Sequence, residues 1–379
     1  MRRIVLALVI LLAACGTPSA PQARVSPSQS APSAVIESPS ASPSPAQQLL
    51  FAVVEGGSAG FPDTVAIVGL DGIARTKATF LPRKSPAAVG NSAVILQPPA
   101  LVSASGVYYL DGNGTVRVLR ETGPPQIVAT FVQQGQPYET WLAVSPTGSN
   151  IVAGVLTFDA TNSYFSLYTA LGGGSPTQTV NAESVGPPDQ MINLPFPIGW
   201  IAAGPVAMYP SRLTTQNAWL GGTLQVLTFT PGGVQGRAVG GADCQSASIT
   251  PSGLIPCISS NGVVSVRDTT GKVIWTTQVV GFNALLLLLS PDGQAIPDVN
   301  RASSDSGATW YMVIETRARG DIQMPKGFRV EGWLDSNTVI GAVTPPGSGD
   351  EGNLAWVSLD EPTTVHDLGF KGNFVATLT

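Results

Sequence analysis

Histidine, cysteine and charge are all scarce in this 379-residue chain: it has one His, three Cys and 11% charged residues. A single imidazole excludes any site built on two or three histidines. Two Cys stand close together and the third lies near the N-terminus, so a Cys-rich zinc site is excluded as well. A formal net charge of -5 argues against broad phosphate neutralisation, and so against nucleic acid as a partner. Long apolar runs are also missing: nothing approaches the roughly 20 residues of a membrane span. Residues 285–289 form a five-residue apolar run between Ala284 and Ser290, which reads as a buried strand. There is no phosphate-binding Gly loop, dinucleotide fingerprint or basic patch, so no cofactor is expected. Hydrophobic residues make up 43% of the chain, enough for a packed core and too many for wholesale disorder.

The N-terminus reads as an address. Met1-Arg2-Arg3 is basic, and residues 4–12 are an apolar stretch of nine, which suits a secretion signal. The stretch ends in Leu12-Ala13-Ala14-Cys15. This resembles the bacterial lipobox, Leu followed by two small residues and Cys. The resemblance implies a signal peptide over 1–14 and lipidation of Cys15. It also implies a bacterial lipoprotein anchored to the membrane on the extracytoplasmic face of the cell envelope. The other reading is an ordinary signal peptide with a chance Cys. Loss of Arg2 and Arg3 leaves a net charge of -7, so the acyl chains rather than charge must do the anchoring.

Residues 15–48 form the lipidated Cys and a tether. Positions 16–48 hold 7 Pro, 9 Ser and 6 Ala, with only Arg24 and Glu37 charged. Such a stretch cannot bury a core. At about 3 Å per residue its reach is at most roughly 100 Å.

From Leu49 the pattern changes to short β-branched and aromatic runs separated by Gly, Pro, Asn and Asp turns. One kind of turn is Ser145-Pro146-Thr147-Gly148, Thr250-Pro251-Ser252-Gly253 and Ser290-Pro291-Asp292-Gly293, with Gly90-Asn91, Ala203-Gly204 and Asp335-Ser336-Asn337 in similar contexts. The second kind joins a later pair of strands. It comprises Asp71-Gly72, Asp111-Gly112-Asn113-Gly114, Gly172-Gly173, Pro231-Gly232-Gly233, Thr270-Gly271, Arg319-Gly320 and Asp360-Glu361-Pro362. Their alternation describes units of four antiparallel strands, A to D. Residues 49–379 give about 47 residues for each of seven units, a β-propeller period. The expectation is an all-β, seven-bladed propeller. Its first blade shows three strands, and residues 374–378 supply the fourth, closing the ring and removing exposed edges. A six- or eight-bladed ring or a sandwich pair is the alternative.

The Ser-Pro-Asp-Gly turns resemble those of TolB-like and WD-repeat-like bacterial propellers. Gly271-Lys272-Val273-Ile274-Trp275, after Val266-Arg267-Asp268, is similar to the turn and strand of quinoprotein-type repeats. Both resemblances bear on architecture alone.

Chemistry is sparse. Cys244 and Cys257 flank the turn at Thr250-Gly253 on opposite arms of a hairpin. An exported protein matures where disulfides persist, so the pair is expected to be bonded; two buried thiols are the alternative. Gly56-Gly57-Ser58-Ala59-Gly60 matches Gly-x-Ser-x-Gly, with His366 downstream. A nucleophile elbow needs a strand, a sharp turn and a helix, whereas Phe61-Pro62-Asp63 and a strand follow here. His366 is expected to be structural. Asp111-Gly112-Asn113-Gly114 reads as a hairpin turn and not as a calcium loop. Asp298, Asn300 and Asp305 are the one loop set with some chelating character. No metal site is expected.

Loop length carries the functional expectation. The A–B and C–D turns are short, while 181–197, 209–222, 297–309 and 344–353 are long and emerge on the opposite face. They carry Met191, Phe196, Tyr209, Arg212, Trp219, Arg301 and Asp305, side chains of the kind enriched at binding hot spots. Long loops are also tolerated as mere insertions. The favoured reading is non-catalytic binding of a protein, peptide or envelope glycan. One alternative is a propeller hydrolase or lyase acting on a sugar or lactone, with carboxylates such as Asp189, Asp298 and Asp305 converging at the channel mouth. Another is a structural envelope protein.

Overall fold

The structure, a computed structural model, describes residues 49–378 apart from 57–61, 82–92, 95–99, 113, 132–137, 159–162, 187–193, 211–213, 216–220, 232, 260–262, 279–287, 301–308, 315–320 and 344–351. The signal, Cys15 and tether expectations lie outside these residues. So do Gly90-Asn91, Arg319-Gly320 and most of the 285–289 run.

Residues from Gln47 onward form one compact unit. No helix occurs among the described residues. The unit is a seven-bladed β-propeller of four-stranded blades. The first blade contains Leu50–Glu55, Asp63–Gly69 and Ala74–Phe80, with Asn373–Leu378 as its innermost strand. Leu50 pairs with Leu378, and Val54 with Asn373, so the two ends of the ring are held in one sheet. The second blade is Ala100–Ser103, Gly106–Asp111, Thr115–Leu119 and Gln126–Thr130. The third is Tyr138–Val144, Ile151–Phe158, Ser163–Ala170 and Thr177–Gly186. The fourth is Phe196–Ile201, Gly204–Pro210, Gly222–Thr230 and Gly233–Val239. In the fifth, Ile255–Ile258, Val263–Arg267 and Val273–Gln278 are joined on the inner side by Gln245, bridged to Ile258. In the sixth, Ala295–Asn300, Thr309–Ile314 and Ile322–Gln323 pair in order, and residues 279–287 before them lie outside the described residues. The seventh is Phe328–Trp333, Thr338–Val343, Asn353–Ser358 and His366–Lys371.

Burial explains the sequence pattern. A middle strand is covered by a neighbouring blade on each face, so Gly106–Asp111 is buried at all six positions. An outer strand meets solvent, and Val273–Gln278 is exposed at four of six. The core accordingly divides by seams. Tyr109 and Phe80 meet between blades one and two, Leu142 and Val118 between two and three, and Phe51 and Leu334 between seven and one. Each such aliphatic or aromatic side chain contributes about 1.5–3 kcal/mol when fully buried.

The recurring Ser/Thr-Pro-x-Gly segments are turns from strand A to strand B. Pro sets φ at the second position, and the fourth residue's N–H closes the turn: Gly148 onto Ser145, Gly253 onto Thr250 and Gly293 onto Ser290, at 2.8–2.9 Å. The first residue's hydroxyl then accepts an N–H at the start of the next strand or just before it, from Asn150 at 3.0 Å, Leu254 at 2.9 Å and Ala295 at 2.9 Å. Gly293 has φ 78°, which is why glycine stands there.

The quinoprotein-like piece is architectural. Asp268 accepts from the N–H groups of Thr270 (2.8 Å) and Lys272 (3.0 Å). Trp275 in the following strand donates Nε1–H to the Gly293 carbonyl at 2.7 Å, which ties blade five to blade six. Cys244 and Cys257 are disulfide-bonded and buried, joining the inner segment of blade five to its second strand.

Three boundaries differ from the sequence expectation. Asp111-Gly112-Asn113-Gly114 lies between strands B and C of blade two, and the A–B turn is Ala104-Ser105. The long connection placed at 181–197 is shortened at both ends by Thr177–Gly186 and Phe196–Ile201. Asp298 and Asn300 lie in a strand, paired with Tyr311 and Thr309, and not in a loop.

Candidate functional site

The ring encloses a cavity of about 1140 Å³ at the end where the A–B and C–D turns emerge. This is the short-turn face, opposite the face favoured from loop length. Five blades contribute. Ser105 and Gly106 come from the A–B turn of blade two, and Ile249 and Thr250 from blade five. Leu288 and Leu289 lead into the turn of blade six, and residues 331–336 come from blade seven. The closing strand of blade one lines the cavity from Phe374 to Leu378, beside Leu49 and Leu50.

The wall is mainly aliphatic and aromatic, and three of its four charged groups, Glu331, Asp335 and Arg120, hold the scaffold; the fourth, Glu121, is exposed. Glu331 is nearly covered, takes a 2.5 Å ion pair from Arg329 and accepts the Phe374 N–H at 2.8 Å. Asp335 accepts from the Asn337 N–H at 2.8 Å and from the Thr338 hydroxyl at 3.2 Å. Arg120 donates to Gln126 at 2.5 Å. Gly332 is required by close approach: a Cβ there would stand 2.3 Å from the Phe374 ring. Trp333 donates Nε1–H to the Leu288 carbonyl at 2.9 Å, fixing blade seven against blade six at the cavity wall.

Of the residues nominated from sequence, the described ones, Phe196, Tyr209 and Asp298, do not line this cavity. Phe196 is core: it is 1% exposed, with its ring centroid 5.4 Å from both Trp141 and Phe165. Tyr209 is half-buried in strand B of blade four, and burial pushes its phenol pKa up. Asp298 is buried in its strand and does not line the cavity. Met191, Arg212, Trp219, Arg301, Asp305 and Asp189 lie outside the described residues. Among the described residues no three His, Cys, Asp or Glu side chains group as a metal site.

Other polar groups have structural explanations. His366 stacks flat on Trp356, with centroids 3.7 Å apart and planes 9° apart. A strand, Asp63–Gly69, follows the Gly-x-Ser-x-Gly segment, of which only Gly56 is described. Asp111 is 8% exposed and pairs with Arg117 at 3.1 Å. Among the described residues, the neighbouring Tyr109 hydroxyl is buried with no hydrogen-bond partner. Burial pushes its pKa up; Arg117 works against that and Asp111 adds to it.

Sequence reasoning missed Trp333, Gly332 and the cavity-lining role of the closing strand. The signal available was the recognised ring closure itself, which puts residues 373–378 innermost.

No family model matches the chain, and no curated protein matches it in sequence. Solved structures are similar in outline. A dihydro-heme d1 dehydrogenase, NirN, aligns with TM-score 0.40 and 14% identity over 86% of this chain and 74% of that one. An oligogalacturonate lyase in complex with manganese aligns with TM-score 0.36 and 11% identity, over 84% and 73%. BamB from Moraxella catarrhalis aligns with TM-score 0.33 and 14% identity, over 73% and 74%. At these identities and scores none assigns an activity to this chain, which stands as a seven-bladed β-propeller with an apolar-walled cavity at its short-turn face.

Proposed function

We propose that this chain is a bacterial lipoprotein, anchored through Cys15 on the extracytoplasmic face, whose propeller is a non-catalytic binding module. Its ligand class is a protein, peptide or envelope glycan, and the central cavity receives it. The observation behind this reading is the cavity wall. A volume of about 1140 Å³ is larger than the roughly 300–1,000 Å³ of common small-ligand sites. Of its four charged side chains, Glu331, Asp335 and Arg120 are engaged by the scaffold and Glu121 is exposed at the rim. A large apolar wall framed by fixed polar groups suits a segment of a larger partner.

The test is capture from envelope extract with the full-length protein and with an Ala104→Trp/Ser336→Trp variant. Both positions line the cavity and are exposed, so the bulk fills the mouth without entering the core. The expected result is a set of partners or glycans enriched by the parent and lost from the variant. Equal enrichment by both proteins removes the cavity from the reading, and turnover of an envelope glycan by the parent replaces binding with catalysis.

A further inference from the structure

Exposed apolar side chains are distributed unevenly over the propeller. Among the described residues, large hydrophobics with 37–62% of their surface open to solvent cluster beside the C–D turns. Leu70 and Ile73 flank that turn in blade one. Ile127 opens the outer strand of blade two, and Leu171 opens the turn of blade three. Val273 and Ile274 open the outer strand of blade five, and Val365 immediately precedes that of blade seven. Leu81 alone in this set follows the outer strand of blade one, on the opposite face.

C–D turns stand at the perimeter of a propeller face. Side chains there form a collar around the central cavity and not one compact patch. An occupant touching blades one, two, three, five and seven together must be broad and flat. Leu49, where the preceding 48 residues join, lies at the cavity on this same face. We propose that the short-turn face docks on the membrane surface, with the apolar collar entering the lipid interface. The tether then emerges on the membrane side, and the cavity opens toward segments held at the bilayer. Tethering raises the local concentration of the face at the lipid, so a weak collar suffices.

Charge does not drive this contact. Asp71, Glu121, Asp292, Asp335, Asp360 and Glu361 are exposed on the face, against Arg120 and Lys272. Docking is therefore expected on zwitterionic lipid and is opposed by anionic lipid at low salt.

The inference rests on the anchoring reading, and the experiment separates the two. Full-length protein is reconstituted into phosphatidylcholine vesicles and floated, which reads anchoring. An environment-sensitive fluorophore is placed in turn on Ile73→Cys, Leu171→Cys and Leu81→Cys, with circular dichroism checking each fold. The expected result is co-flotation with blue-shifted emission at positions 73 and 171 and aqueous emission at 81. Co-flotation with aqueous emission at all three overturns docking and leaves anchoring standing. No flotation with aqueous emission throughout overturns both. A blue shift at 81 equal to the others overturns the assignment to this face.

Discussion

The Thr377 hydroxyl donates to the main-chain oxygen of Trp333 at 3.0 Å, with Leu334 O a further acceptor at 3.2 Å. The last strand of the chain is thus bolted to blade seven while it pairs with blade one. With the Glu331–Phe374 bond and the Phe51–Phe374 ring contact at 6.1 Å, this relationship closes the ring.

The closure predicts a graded effect. Thr377→Val removes one hydrogen bond and is expected to cost about 1 kcal/mol, seen as a modest fall in thermal midpoint. Truncation after Lys371 removes a whole inner strand and is expected to abolish cooperative unfolding. A truncated chain melting with the parent's midpoint and sharpness would show that the last strand is dispensable.

The disulfide predicts a larger single effect. Cys244 and Cys257 are 13 residues apart in sequence, and cross-linking so short a loop stabilises by about 3 kcal/mol in the chain-entropy account. The Cys244→Ala/Cys257→Ala double variant is expected to unfold at lower urea concentration with a similar slope. Treating the parent with reductant under denaturing conditions and then refolding it without oxidant should reproduce that shift. An unchanged midpoint in both experiments contradicts the prediction.

Acid should weaken the start of blade five. Arg267 donates to both carboxylate oxygens of Asp243, at 2.7 and 3.0 Å. That hydrogen bonding is the chief cause holding the Asp243 pKa below its ordinary 3.8. A depressed folded-state pKa contributes stability above the unfolded-state value and loses it as pH falls through the folded one. Asp243→Asn is therefore expected to lower the thermal midpoint at neutral pH, and the gap to the parent should close below about pH 4. A gap of constant size down to strong acid would remove the ion pair from the explanation.

Much of the fold was legible because its turns have distinctive chemistry. Ser145, Thr250 and Ser290 each start a Pro-containing turn whose hydroxyl and glycine act locally, so their meaning survives without knowledge of the rest of the chain. Asp111-Gly112-Asn113-Gly114 misled for a related reason. Hairpin chemistry shows that a turn exists but not which two strands of a blade it joins. Phe196 misled differently. It stands between Pro195 and Pro197, which reads as loop, yet Trp141 and Phe165 of the preceding blade bury it.

The candidate site was almost invisible. Ser105, Ile249, Leu288, Trp333 and Phe374 are spread over some 270 positions, and no spacing rule connects them. They meet only because each stands at the inner edge of a different blade.

The repeated turns, the final β-run and the paired Cys are local facts, and they determined the architecture, its closure and its cross-link. The tertiary structure alone decided which face holds the cavity and that Glu331 serves a neighbouring strand. It also decided that apolar side chains from five blades ring the short-turn face. The reason is physical: a turn depends on a few adjacent residues, whereas a cavity wall depends on side chains that only ring closure brings together.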